Sequence, residues 1–154
     1  MFEASKQIET TAKPTEPETT ERTDPYKAGE TYNDKGLDVR FVSAEDYDFS
    51  ADSAPDNGYK VVTAYFEIKN NDSVSRQFGE KYFKCYADNK PADIWYTYDD
   101  VPTRFAYNDE LSPGREYKGY LNFEVPESAL TVEIEYQPLG GLFGDPQPVV
   151  FKVK

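Results

Sequence analysis

Residues 59–70 read YKVVTAYFEIKN, and they alternate along their whole length. Val62, Ala64, Phe66 and Ile68 share one face, while Val61, Thr63, Tyr65 and Glu67 share the other. A period of two marks a β-strand with one face on a core and one towards solvent. Asn70-Asn71-Asp72 closes the run with turn residues.

The same pattern recurs down the chain. Leu37, Val39 and Phe41 alternate with Asp38 and Arg40. Phe83 and Cys85 are expected to face inward, against Lys84 and Tyr86. Tyr117, Gly119, Leu121, Phe123 and Val125 alternate with Lys118, Tyr120, Asn122 and Glu124. Leu130, Val132, Ile134 and Tyr136 alternate with Thr131, Glu133 and Glu135, and Val149, Phe151 and Val153 close the chain. Turn chemistry separates the runs: DSAPDNG, DNKP, SPG and LGGLFGDPQP. This gives about seven strands and no long helical period, which argues for an all-β sandwich. A helical turn is expected only within 101–108 or 126–130. Aromatic residues, 16% of the chain, suit such half-buried pleated surfaces.

Residues 1–26 differ. The first 25 hold six Thr, five Glu and three Pro, with only Met1, Phe2 and Ile8 large and apolar. Such a segment buries too little to offset its ordering entropy. It is read as a disordered Thr/Glu/Pro-rich linker or stalk, with the sandwich domain at 27–154. No apolar run approaches the ~20 residues needed to span a bilayer.

Several chemistries are excluded or left weak. The formal net charge of −12 opposes phosphate backbones, so nucleic acid is not an expected partner. The chain has no His, which removes the commonest general base and transition-metal ligand. Its one thiol, Cys85, forms no internal disulfide and is expected to be a small buried strand residue. Asp46, Asp48, Asp52 and Asp56 lie in one acidic loop that offers calcium oxygens, although the spacing is not that of an EF-hand. Among 29 acidic residues, sequence selects no pair for general acid and base work. No cofactor is expected.

The segment DIWYTYDDVPTRFAYNDE carries more. Trp95, Tyr96, Tyr98, Phe105 and Tyr107 lie among Asp and Asn. Exposed rings beside hydrogen-bonding groups make sugar or protein contacts at low entropic cost. Alternation sends half of them inward; if Trp95 enters the core, Tyr96 and Tyr98 are the exposed contacts. Leu142 and Phe143, between glycines at 140–144, form a second contact candidate on a loop tip.

The pieces YKVVTAYFEIKNND, CYADNK, LSPGREYKGYLNFEVPESA and LTVEIEYQP…PVVFKVK occur in a familiar order. Over residues 28–154 they resemble the bacterial immunoglobulin-like domain of unknown function found in Gram-positive surface lipoproteins. The resemblance implies an immunoglobulin-like β-sandwich with no assigned activity. It also implies secretion, and anchoring through a lipid-modified Cys followed by a polar linker. The leader and anchor are expected upstream of Met1. The expected function is therefore an extracellular, membrane-anchored binding or structural module without catalysis, for an unidentified protein or glycan at the cell surface. The alternatives are a carboxylate-based hydrolase of cell-wall or extracellular glycan and a calcium-stabilised structural module.

Overall fold

The computed structural model of the protein describes residues 22–47, 54–96, 104–140 and 146–154. These residues form ten strands: β1 (Thr31–Asp34), β2 (Leu37–Asp46), β3 (Tyr59–Asn70), β4 (Arg76–Phe78), β5 (Phe83–Ala87), β6 (Lys90–Ile94), β7 (Asp109–Leu111), β8 (Glu116–Pro126), β9 (Val132–Tyr136) and β10 (Val149–Lys152). The fold is all-β. Eight strands make one continuous sheet in the order β1-β2-β3-β8-β6-β5-β9-β10, and β4 pairs with β7 apart from it.

The expected count of about seven falls short because β1, β4 and β7 are only three or four residues long and carry no alternation that sequence can reveal. Among the described residues a 3-10 turn forms at Glu80–Tyr82, where none was expected, while 101–103 of the expected stretch 101–108 lie outside the described residues. Leu130 is a further correction. It does not share the inner face of Val132, Ile134 and Tyr136, but stands 79% exposed in the turn before β9.

The sheet folds over at β6. Ala92, Pro91 and Lys90 pair with β5, whereas Asp93 and Ile94 pair with β8. One strand thus belongs to both layers. The Asp88-Asn89 turn that feeds it takes positive φ at both residues, as a tight two-residue hairpin requires. The layers meet through aromatic rings: Phe66 of β3 lies 4.9 Å from Phe83 of β5 and 5.3 Å from Phe151 of β10. Leu37, Val39, Phe41, Leu121, Phe123, Val125 and Ile134 complete a core with almost no solvent contact.

The open ends of the sheet nearly close on each other. Tyr26 N–H donates to Val150 O, and Lys152 N–H donates to Tyr26 O, both at 2.8 Å. Three residues later, Gly29 and Glu30 bond to Phe41 of β2. The stretch from Tyr26 to Glu30 therefore links β10 to β2, so the folded sheet approaches a barrel.

Candidate functional site

The aromatic segment divides among three environments. Phe105 enters the core, 1% exposed and stacked on Tyr117 and Phe83. Trp95 follows β6 and donates its backbone N–H to Asn122 O. It is half-buried, and its ring lies 5.7 Å from that of Tyr47. Tyr96 and Tyr107 stand out from the surface, 54% and 68% exposed. Tyr98 lies outside the described residues.

Both exposed tyrosines are held by one turn. Gly79 has φ 149°, and Glu80 and Lys81 donate their backbone N–H groups to Ala106 O and Tyr107 O. That contact needs glycine: a Cβ there would lie 2.5 Å from Tyr107 O and 2.7 Å from Ala106 O. The Glu80 side chain, in a residue only 2% exposed, accepts the Tyr96 hydroxyl at 2.5 Å. That hydrogen bond, with a smaller part from desolvation, raises the Tyr96 phenol above its ordinary range. The Arg104 guanidinium lies 4.5 Å from the centre of the Tyr96 ring. A cleft of about 490 Å³ opens beside Tyr96 where β5 and β6 part, with Ile94 and Phe123 among its lining residues.

The outer face of β3 and β8 departs from the expectation that it meets solvent. Val61, Thr63, Tyr120 and Asn122 are each no more than 2% exposed. Cross-strand pairing runs Glu45, Thr63, Asn122, Trp95 in one row on this face. Tyr47 donates its backbone N–H to Val61 O beside that row, and its ring meets that of Trp95. Tyr65 and Tyr120, ring centres 6.0 Å apart, stand on the other side. Thr63 Oγ1 donates to Asn122 Oδ1 at 2.6 Å, while Asn122 Nδ2 has no hydrogen-bond partner among the described residues. Sequence reasoning missed this buried polar pair and the Tyr47–Trp95 contact, whose residues lie 48 positions apart in the chain. The only available signal was Asn122 and Thr63 recurring on aromatic strands.

The remaining candidates do not converge. Asp46 pairs with Lys60 at 3.2 Å, and Asp56 sits in the turn before β3, its backbone N–H on Glu124 Oε1. Asp48 and Asp52 lie outside the described residues, as do Leu142 and Phe143. Among the described residues, no group of three carboxylates, His or Cys gathers as a metal site. Asp93 and Glu124 face each other across β6 and β8 and help line a cleft of about 400 Å³. Neither is buried, so nothing in their surroundings separates an acid from a base.

Comparison with known proteins assigns the family. The model for DUF4352, a domain of unknown function, matches residues 26–146. The chain belongs to the DUF4352 family. No curated protein matches it. The DUF4352 chain is similar in fold to the yjhA protein from Bacillus subtilis, at 12% identity and a TM-score of 0.63, over 84% of this chain and 99% of that one. It is also similar to ycdA from Bacillus subtilis, described as a "putative lipoprotein", at 17% identity and a TM-score of 0.62, over 80% of this chain. The match spans 38% of the ycdA chain. A third likeness is to MPT63, a secreted protein from Mycobacterium tuberculosis, at 12% identity and a TM-score of 0.53, over 85% of this chain and 99% of that one. At these identities the likeness is one of fold.

Proposed function

We propose that this DUF4352 chain is a non-catalytic binding module that works outside the cell, on an immunoglobulin-like β-sandwich scaffold held at the surface by a lipid anchor. Its contact surface is the strip of Trp95, Tyr96, Arg104 and Tyr107. The observation that carries the reading is the shared support of the two exposed tyrosines. The Gly79–Lys81 turn grips the backbone at Tyr107 and the hydroxyl of Tyr96 together. Rings fixed before binding lose little entropy on contact, which is the advantage of a pre-organised aromatic surface. The extracellular setting is supported by fold neighbours described as secreted or as a lipoprotein.

The test is capture on cell-wall and host-surface material by the full chain. Tyr96→Ala and Tyr107→Ala should each weaken retention at least tenfold, as expected for exposed aromatic anchors worth more than about 1.4 kcal/mol. Retention equal to wild type in both variants would remove the proposed surface.

A further inference from the structure

We propose that Arg104, on its tyrosine platform, receives the carboxylate of an acidic pyranose. This rests on the binding-module reading and specifies the ligand class that the aromatic strip would take.

Arg104 differs from the arginines that hold the fold together. Among the described residues Arg22, Arg40 and Arg76 each meet a carboxylate, whereas the Arg104 guanidinium meets neither a carboxylate nor a carbonyl. It is half-buried, and it is placed by the Tyr96 ring, 4.5 Å from the guanidinium carbon to the ring centre. That contact uses no N–H···O bond, so the donors of the fork stay available to an acceptor.

The platform is fixed before any ligand arrives. Glu80 holds the Tyr96 hydroxyl, and the Gly79–Lys81 turn that carries Glu80 also grips the backbone at Tyr107. The Tyr107 phenol lies close enough to act on that of Tyr96, and its hydroxyl has no partner among the described residues. A cation and a hydroxyl donor therefore stand ready on one rigid support, which keeps the ordering cost of binding low.

Charge selects the ligand's polar group. A guanidinium excludes a cation and calls for an acceptor. The neighbouring carboxylates are engaged, Glu80 by Tyr96 and Asp109 by the Glu110 N–H. The net charge of −12 opposes a polyanion at long range, so a single charge on an otherwise neutral body fits best. A carboxylate is planar and matches the guanidinium fork through two parallel bonds.

The backbone selects the body. An added peptide strand needs a row of free main-chain groups. Here the carbonyls of Arg104, Ala106 and Tyr107 already accept the Tyr117 hydroxyl and the N–H groups of Glu80 and Lys81, and Phe105 N–H donates to Tyr120 O. What the strip presents instead is the exposed rings of Tyr96 and Tyr107. A pyranose supplies the complement, an apolar C–H face with a carboxylate at its edge.

Nuclear magnetic resonance titration of the full nitrogen-labelled chain tests this. The Arg104 Nε–H signal, assigned by its loss in Arg104→Gln, is the direct reporter. The probes are N-acetylmuramic acid and the methyl glycosides of glucuronic acid and N-acetylneuraminic acid. The methyl ester of each, inorganic phosphate and the amide of N-acetylglutamate serve as comparisons. At least one acid should bind saturably and move the Arg104 signal, and its ester should bind at least tenfold more weakly. Arg104→Gln should weaken that acid at least tenfold while melting near the wild-type temperature, because the side chain has no hydrogen bond to lose. Arg104→Lys, which keeps the charge and removes the fork, should also weaken it, and decides the matter if Arg104→Gln does not fold. The inference is overturned if no acid binds saturably, if the esters or the variants bind equally well, or if phosphate or the glutamate derivative binds more tightly. A chain retained on surfaces through Tyr96 and Tyr107 that binds none of the acids overturns this inference alone and leaves the surface reading standing.

Discussion

The hydroxyl of Tyr136 donates to Asp34 Oδ2 at 2.8 Å, joining β9 to β1 across 102 residues of sequence. The same oxygen accepts Leu139 N–H at 3.1 Å and faces Arg76 Nη2 at 3.4 Å. Arg76 reaches on to Lys35 O and Asp72. Asp34 is 2% exposed and Arg76 5%, so this is a buried ion pair with its hydrogen bonds in place. Burial and the neighbouring carboxylate push the Tyr136 phenol well above its ordinary range.

Removing one partner of such a pair leaves the other charge buried and unmatched. Asp34→Ala should therefore lower stability by about 3–5 kcal/mol, whereas Tyr136→Phe, which removes one hydrogen bond to a charged group, should cost about 1.5–3 kcal/mol. Urea denaturation of both variants measures this. Equal, small losses would show that the network adds little beyond packing.

Gly79→Ala should damage the proposed contact surface from beneath. Its Cβ would meet two backbone oxygens of Ala106 and Tyr107, in a conformation that L residues rarely adopt. Strain of that kind costs about 1–3 kcal/mol, here with added displacement of Tyr107. The variant should melt lower and be retained less well on surface material. Wild-type retention with a lowered melting temperature would separate the turn from the surface it supports.

Glu80 sets the ionisation of Tyr96. Because the phenol donates to a carboxylate, its ionisation is held above the ordinary range. Ultraviolet difference titration of wild type against Tyr96→Phe isolates this group. In Glu80→Gln, which accepts the same hydrogen bond without the charge, the transition should move to lower pH. An unmoved transition would mean that the carboxylate does not act on Tyr96.

Cys85 should govern part of the alkaline stability. Burial raises its thiol from an ordinary 9.0 to about 12. The folded state keeps a proton that the unfolded chain gives up, so the contribution is intact below about pH 9 and falls as pH rises towards 12. The loss is up to about 1.4 kcal/mol per pH unit. The stability advantage of wild type over Cys85→Ala should therefore shrink between pH 8 and 11 in denaturant melts. A pH-independent difference would contradict the raised thiol.

The inner faces of β2, β3, β8 and β9 were legible because a long strand writes its burial into every second residue. Leu37, Val39, Phe41, Leu121, Phe123 and Val125 all lie where alternation puts them. The Asp88-Asn89 and Asn57-Gly58 turns were legible because their residue types tolerate the backbone angles. The outer face of β3 and β8 was misread for the same reason that the inner face was read well. Period two says that Thr63 and Asn122 point away from the core, but not that both end almost without solvent contact.

By itself the sequence determined the strands, most of their inward residues, the tail's polar character and the functions that a chain without His and with a charge of −12 does not favour. These are local properties, set by side-chain chemistry and backbone preference within a few residues. Only the tertiary structure decided that β6 serves two layers, that Tyr26 to Glu30 draw the sheet towards closure, and that one glycine turn supports two tyrosines. It also decided that the Asn122 amide is buried, with no hydrogen-bond partner for its Nδ2 among the described residues. Each depends on which distant strands become neighbours. That choice is made by the summed burial of the whole core, and no short stretch of sequence carries it.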